Sequence, residues 1–329
     1  MTKIRWGLLS TAHINQKVMP AIRNSHYGEL VAVASRDEQK ARAYAKEYRI
    51  PLSFSSYEAM LASDQVDVVY ISLPNHLHAE WMIRAMQAGK HVLCEKPFVL
   101  TIKEMDEVTR VKQETGCKIL EAFMYRYHPQ TQQVIELISD GMIGDVEIVE
   151  GVFQFPLKDA GNVRWNPQFG GGALWDVGIY PLSYAQLVMG EPPIQVFGQR
   201  KLTASGVDET FLGQMMYTRG RQAQLRSSFS LPYETRLSIS GSAGRIIIPR
   251  PFHNMEDHRK ICRVDASGKE HWISIPRFDL YTGEVDDLNR AILDNRDPIL
   301  SLEETRNHLR TLLAFYVSAE KNRPVALDE

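Results

Sequence analysis

At 329 residues, with 44% hydrophobic and 24% charged side chains, the chain has the length and composition for two domains that each bury a core. Lysine and arginine total 38 against 40 aspartates and glutamates, and a net charge of −2 argues against general attraction to nucleic acid or an anionic membrane. Three scattered cysteines without CxxC spacing argue against a disulfide framework or a zinc site, so no metal is expected and a reducing compartment suits them. The opening segment lacks the apolar stretch of a signal peptide and no run of ~20 apolar residues occurs, so the expectation is a cytoplasmic protein without membrane spans.

The first 123 residues alternate apolar runs with amphipathic helical patterns. The runs are Ile4–Leu9, Leu30–Ser35, Val66–Leu73, His91–Glu95 and Lys118–Phe123. Between them lie helical stretches at Ile14–Arg23, Gln39–Tyr48, Ser56–Leu61, Ala79–Ala88 and Ile102–Thr115. Unalternated apolar strands separated by helices predict a parallel sheet covered on both faces, a doubly wound Rossmann domain over residues 1–123.

From residue 124 to 329 the texture changes to an α+β domain. A helix at Pro129–Ser139 leads to a strand at Val146–Phe155, a glycine-rich loop and a second helix. Alternating runs follow at Ile194–Leu202, Phe211–Tyr217, Gln222–Leu231, Arg236–Ser240 and Arg245–Pro249, and helices at Gly283–Asp294 and Leu302–Lys321 close the chain. Turn signals such as Gly241-Ser242-Ala243-Gly244 predict hairpins, hence a large, mostly antiparallel open sheet. Such a sheet needs a cover for its free face, and a second copy would provide one. A homodimer or homotetramer is therefore expected.

The first strand runs into Gly7-Leu8-Leu9-Ser10-Thr11-Ala12-His13-Ile14, where a Rossmann loop should turn into a helix N-terminus that holds pyrophosphate. The motif is degenerate, with Ser10 and Ala12 where the second and third glycines usually stand. The second strand ends in Ser35-Arg36-Asp37. A hydroxyl and a planar cation suit a ribose 2′-phosphate, so NADP(H) is favoured, with NAD(H) possible if Asp37 turns inwards onto the ribose. Two further strand ends carry Ser72-Leu73-Pro74-Asn75-His76-Leu77-His78 and Glu95-Lys96-Pro97. Later, Gly170-Gly171-Gly172 precedes a helix with Asp176 and Tyr180 on one face, at i and i+4. His76 and His78 have no accompanying carboxylate or cysteine cluster, which argues against a metal pair.

Together these segments resemble the Gfo/Idh/MocA oxidoreductases along essentially the whole chain, and Glu95-Lys96-Pro97 is the most specific part. Many members end an Asp-x-Gly-x-His motif where this chain has Tyr180. That variant, with Glu121-Ala122-Phe123-Met124-Tyr125-Arg126-Tyr127-His128-Pro129, is most similar to the dimeric dihydrodiol dehydrogenase, NADP-dependent D-xylose dehydrogenase and sugar ketoreductase branch. The resemblance implies hydride transfer between nicotinamide and a carbon of a sugar or cyclic polyol. It implies Lys96 and Tyr180 as the catalytic pair and Asp176 beside the substrate. Asn75, His78 and Glu95 would surround the nicotinamide end, with Arg126, Arg164 and Trp165 as further cofactor or pocket contacts. The chemistry is coherent: a free phenol titrates near 10, and a neighbouring ammonium stabilises the phenolate that would take the hydroxyl proton. The alternative is a dinucleotide-binding regulator without turnover. A third reading, glycoside hydrolysis through transiently used NAD, would leave no net change in NADPH.

Overall fold

The computed structural model describes residues 3–252 and 259–328. Two compact units divide it: residues 1–124 with 279–306, and residues 125–278 with 307–329.

The first unit alternates strands and helices in chain order: β1 (Ile4–Leu8), α1 (Asn15–Asn24), β2 (Gly28–Ala34), α2 (Glu38–Tyr48), β3 (Leu52–Phe54), α3 (Tyr57–Leu61), β4 (Val68–Ile71), α4 (His78–Gln87), β5 (His91–Glu95), α5 (Ile102–Thr115) and β6 (Ile119–Ala122). The six strands pair in parallel in the order β3-β2-β1-β4-β5-β6. This is the doubly wound order in which ligands bind where the strand sequence reverses, between β1 and β4. All four residues of β4 are buried, as expected of a strand covered on both faces. Helix starts are fixed by side chains: Asp37 caps α2, Ser56 caps α3, and Thr101 with Glu104 forms a capping box on α5. The short β3 had no counterpart in the apolar pattern, since three residues show no period.

Residues 279–306 cluster with this unit, whereas a division at 123/124 leaves them in the second. The cause is polar as well as apolar. On α8 (Thr282–Leu293), Asn289 accepts a buried 2.9 Å bond from the Trp6 indole N–H, and Asp286 accepts one of 2.6 Å from Ser25. A sequence pattern does not show such pairings.

The second unit contains α6 (Pro129–Ser139), β7 (Val146–Gln154), α7 (Ile179–Met189), β8 (Gln195–Leu202), β9 (Asp208–Met216), β10 (Gln222–Ser228), β11 (Glu234–Gly241), β12 (Gly244–Ile248), β13 (Lys260–Asp265), β14 (Glu270–Ser274), the end of α9 (Leu302–Lys321) and β15 (Val325–Ala326). Nine strands form one sheet in the order β14-β13-β12-β11-β7-β10-β9-β8-β15. Every pair is antiparallel except β7 with β10, which run parallel. A Ser242-Ala243 turn joins β11 to β12, with Gly241 opposite Gly244, as the turn signal predicts.

Helix α7 lies close on the sheet because glycine leaves room. A Cβ on Gly151 would stand 2.5 Å from Pro181, and one on Gly178 would stand 2.9 Å from the Ser227 hydroxyl. The opposite face carries large apolar groups in the open: Ile148, Leu212, Met216 and Trp272 are 42–55% exposed. Cross-strand register places Met216, Gln222 and Ile148 in one row over β9, β10 and β7.

Candidate active site

Parallel strands end at one edge, and the sequence-predicted cofactor residues of the first unit gather there. After β1 the chain turns through Ser10. Its hydroxyl is 2.6 Å from that of Ser72, which bridges the β1/β4 reversal point. Ser72 in turn donates to Asn15 (2.7 Å), Asn15 donates to the Ser10 carbonyl (2.8 Å), and the Ala12 N–H donates to the Ser10 hydroxyl (3.0 Å). Serine in place of the usual glycine therefore ties the loop down. Asn15 escaped the sequence reading, although a buried Asn opening a helix beside an anion loop is a usable signal. Gly7 answers to packing: a Cβ there would meet the Met60 sulfur at 2.7 Å and Val66 at 3.1 Å.

Helix α1 differs from α2, α3 and α5 because no side chain caps it and no acidic residue stands in its first turn. Its positive dipole end faces the Thr11–Ile14 turn, of which Thr11, Ala12 and Ile14 are half-buried and His13 exposed. The donor set suits a diphosphate bridge.

At the end of β2, Ser35 is buried and its hydroxyl accepts from the Asp37 N–H at 3.2 Å. Asp37 accepts from the Gln39 and Lys40 N–H groups at 2.9 and 3.1 Å, so its carboxylate is engaged as the α2 cap. Arg36 is exposed beside the Tyr57 phenol. Burial raises that phenol's pKa and the guanidinium opposes the rise. This arrangement presents a cation and directs the acid elsewhere, which fits a 2′-phosphate.

Residues Asn75–Leu77 form a single tight turn after β4, and Leu73, buried, and Pro74, half-buried, lead into it. His78 is fully buried, with Nδ1 2.8 Å from the Pro97 carbonyl and Nε2 2.8 Å from the Leu73 carbonyl. Each ring nitrogen thus stands beside a backbone carbonyl, and a neutral ring donates to one of the two. His78 staples the β4 loop to the β5 loop. Burial keeps its pKa low against the pull of those carbonyls, and the nearby Lys96 charge adds to the effect.

Lys96 follows β5 directly, half-buried, and the Lys96–Pro97 peptide is cis. Glu95 accepts from the Tyr70 hydroxyl, which is fully buried in β4. Behind it sits Glu284 of α8, with no exposure and neither carboxyl oxygen hydrogen-bonded among the described residues. Burial, then the Glu95 charge, drives the Glu284 pKa well up, which favours the neutral acid. Sequence reasoning missed this residue, because its partners lie about 190 positions earlier.

In the second unit, Asp176 lies in a π-helical turn, Leu174–Gly178, that leads straight into α7 and Tyr180. Such turns recur at functional sites. Arg164 holds Asp176 through Nε at 2.6 Å, so the carboxylate next to Tyr180 carries its own counter-charge. Arg164 is itself fixed, since its N–H donates to Asn162 (3.1 Å) and its carbonyl accepts from Gly172 N–H (3.0 Å).

Tyr180 is buried among aromatic rings, with Phe153 and Phe252 centred 5.4 Å away and Tyr125 at 6.1 Å. The Trp165 indole N–H donates to the Asp159 carbonyl at 3.1 Å, and its ring meets Phe229 edge-on. Arg126 is half-buried, and its charge acts on the buried Tyr184. Among the described residues no group of three His, Cys, Asp or Glu side chains is placed to hold a metal. No described helix is long and apolar enough to cross a membrane.

Residues 4–123 match the Gfo/Idh/MocA oxidoreductase family with NAD-binding Rossmann fold, and residues 131–247 match the Gfo/Idh/MocA C-terminal domain. The chain is 37% identical to a D-xylose 1-dehydrogenase (NADP(+)) of Haloferax volcanii over 325 residues, covering 98% of this chain and 99% of that protein. It is 31% identical to a trans-1,2-dihydrobenzene-1,2-diol dehydrogenase of Xenopus laevis, covering 92% and 93%. Among solved structures, a 3-ketoreductase of Actinomadura kijaniata in complex with NADP and TDP-benzene superposes with a TM-score of 0.90 at 28% identity, covering 96% and 98%. The matched segments and the full-length likenesses lead to one conclusion: the chain belongs to the Gfo/Idh/MocA oxidoreductase family.

Proposed function

We propose that the protein is an NADP(H)-dependent oxidoreductase that transfers hydride between nicotinamide and a carbinol or carbonyl carbon of a sugar or cyclic polyol, with Lys96 and Tyr180 as its acid–base pair. The observation that carries the cofactor choice is Asp37 bound to α2 while Arg36 stands exposed at the end of β2. The Haloferax relative named for NADP and the NADP-bound ketoreductase support the same choice. Bound nicotinamide supplies or accepts the hydride.

The chain's own residues do the rest. Lys96, fixed between β5 and Pro97, contributes a positive charge at the sheet edge. Tyr180 takes the hydroxyl proton in oxidation and returns it in reduction. Asp176, oriented by Arg164, holds the substrate hydroxyl. The buried rings around Tyr180 keep water from the proton path, where a stray water would compete for it. The three cysteines are free and buried, which suits work in the reducing cytoplasm. The reading is tested by screening aldoses, cyclic polyols and ketosugars with NADP+ and NADPH in both directions. Net cofactor turnover is expected with at least one class. A chain that binds NADP yet turns over none of them would be a regulator.

The open face of the nine-stranded sheet is assigned to a second copy of the chain. Ile148, Leu212, Met216 and Trp272 stand too exposed to serve the monomer's own core. Sedimentation at micromolar concentration is expected to give a dimer or tetramer, and a Leu212→Glu, Ile148→Glu double variant should dissociate it. A monomeric wild type would refute the assignment.

A further inference from the structure

We propose that Asp208, held by Tyr316, is a positioning residue that fixes the turn carrying Asp176 and Tyr180. This rests on the catalytic reading of those two side chains. Asp208 opens β9 and is 1% exposed. One carboxylate oxygen accepts from the Leu174 N–H at 2.7 Å, at the first residue of the π-helical turn and two before Asp176. The other accepts from the Tyr316 hydroxyl of α9, also at 2.7 Å. The Tyr316 ring in turn stacks on Trp175 at 5.6 Å, so the clamp grips the turn by its backbone and by its side chain. Gly172 completes it. With φ at +129° it passes so close that a Cβ would stand 2.3 Å from the Asp208 carboxylate. The third glycine of Gly170-Gly171-Gly172 is thus required by the carboxylate.

The clamp carries a cost that a purely structural anchor would avoid. Burial pushes the Asp208 pKa up to about 6, although the Leu174 N–H, the Tyr316 hydroxyl and the Arg200 guanidinium of β8 all pull it down. A raised acid pKa means the folded state binds the proton more tightly than the unfolded one. Stability from this site is therefore present at low pH and lost as pH rises through about 6. Near neutrality the ionised Asp208 works against folding. A neutral side chain of the same shape could accept the Leu174 bond more cheaply. What the charge adds is a fixed acceptor for two donors at once, at the positive end of the helix that carries the site.

The test compares Asp208→Asn and Tyr316→Phe with wild type by three readouts: melting temperature against pH, amide exchange of peptides spanning 172–180, and steady-state kinetics with the sugar found in the screen. Asp208→Asn is expected to melt at or above wild type near neutrality, while exchange across 172–180 accelerates. Its kcat should fall ~10–100-fold with KM for NADP+ unchanged, the scale of loss that follows misplacement of reacting groups by about 1 Å. Tyr316→Phe should move the acid limb of kcat to higher pH, because its hydroxyl holds the carboxyl's pKa down. Parallel losses of melting temperature and kcat in Asp208→Asn would overturn the proposal, as would unchanged exchange. Tyr180→Phe is assayed alongside. If it is inactive while Asp208→Asn is normal, only the clamp fails; if it is fully active, the catalytic reading falls first.

Discussion

Tyr180→Phe and Lys96→Ala are each expected to lower turnover by ~10²–10⁴-fold, the range for removing a positioned acid–base group. The phenylalanine variant deletes one hydroxyl from a buried ring, so the packing against Phe153, Phe252 and Tyr125 stays intact. Its folding and its affinity for NADP(H) should be unchanged, and the loss should fall on kcat. Lys96→Ala removes a charge from the β5 loop. His78 still links the two loops through Leu73 and Pro97, so the backbone there should hold. On the proposed reading the two residues act on one proton, so the double variant should lose little more than the worse single one. Steady-state kinetics with cofactor titrations check this, and near-normal kcat in Tyr180→Phe would remove it from the proton path.

Arg36→Ala is expected to weaken NADP binding by ~10–100-fold while leaving NAD almost unaffected. A charge-assisted contact to phosphate is worth ~1.5–3 kcal/mol, and ~1.4 kcal/mol is tenfold. Because Arg36 is exposed, the lower end of that range applies at physiological salt, and the preference should shrink as salt rises. Asp37 was the competing influence. Turning it onto a ribose would break its bonds to the Gln39 and Lys40 N–H groups, and losing a helix cap costs ~0.5–2 kcal/mol. That cost favours the capping position, so Asp37 does not oppose the 2′-phosphate. Fluorescence titration of both cofactors at low and high salt measures it, and tighter NAD binding by wild type would contradict the arrangement.

The sequence made the Rossmann half readable because its strands are continuous apolar runs and its helices carry caps that residue type alone reveals, such as Thr101 with Glu104. The Glu95-Lys96-Pro97 and Asp176…Tyr180 segments were legible for another reason: their residue types are rare in combination. What stayed hidden was long-range polar pairing. Nothing around Asp208 marks it as the partner of Leu174 and Tyr316, which lie 34 and 108 positions away. Likewise, nothing in the helical pattern of α8 shows that Glu284 lies behind Glu95. His78, whose position at a strand end suggested a cofactor contact, is buried with a backbone carbonyl beside each ring nitrogen, and its place in the chain did not reveal those neighbours. Arg164, read as a cofactor or pocket contact, also pairs with Asp176, a partner the sequence did not show. Residue type and place along the chain predict where chemistry gathers; which partner a polar atom takes is decided by packing between elements distant in sequence.

The central claim is direct hydride transfer, and isotope tracing tests it most directly. The sugar or polyol with the highest turnover in the screen is prepared with deuterium on the reacting carbon and incubated with NADP+. The deuterium is predicted to appear on C4 of the nicotinamide in the NADPH formed, one per product molecule, and Tyr180→Phe should slow its appearance. Deuterium released to solvent, or product formed without any net NADPH, would contradict the account and point to hydrolysis through a transiently used cofactor.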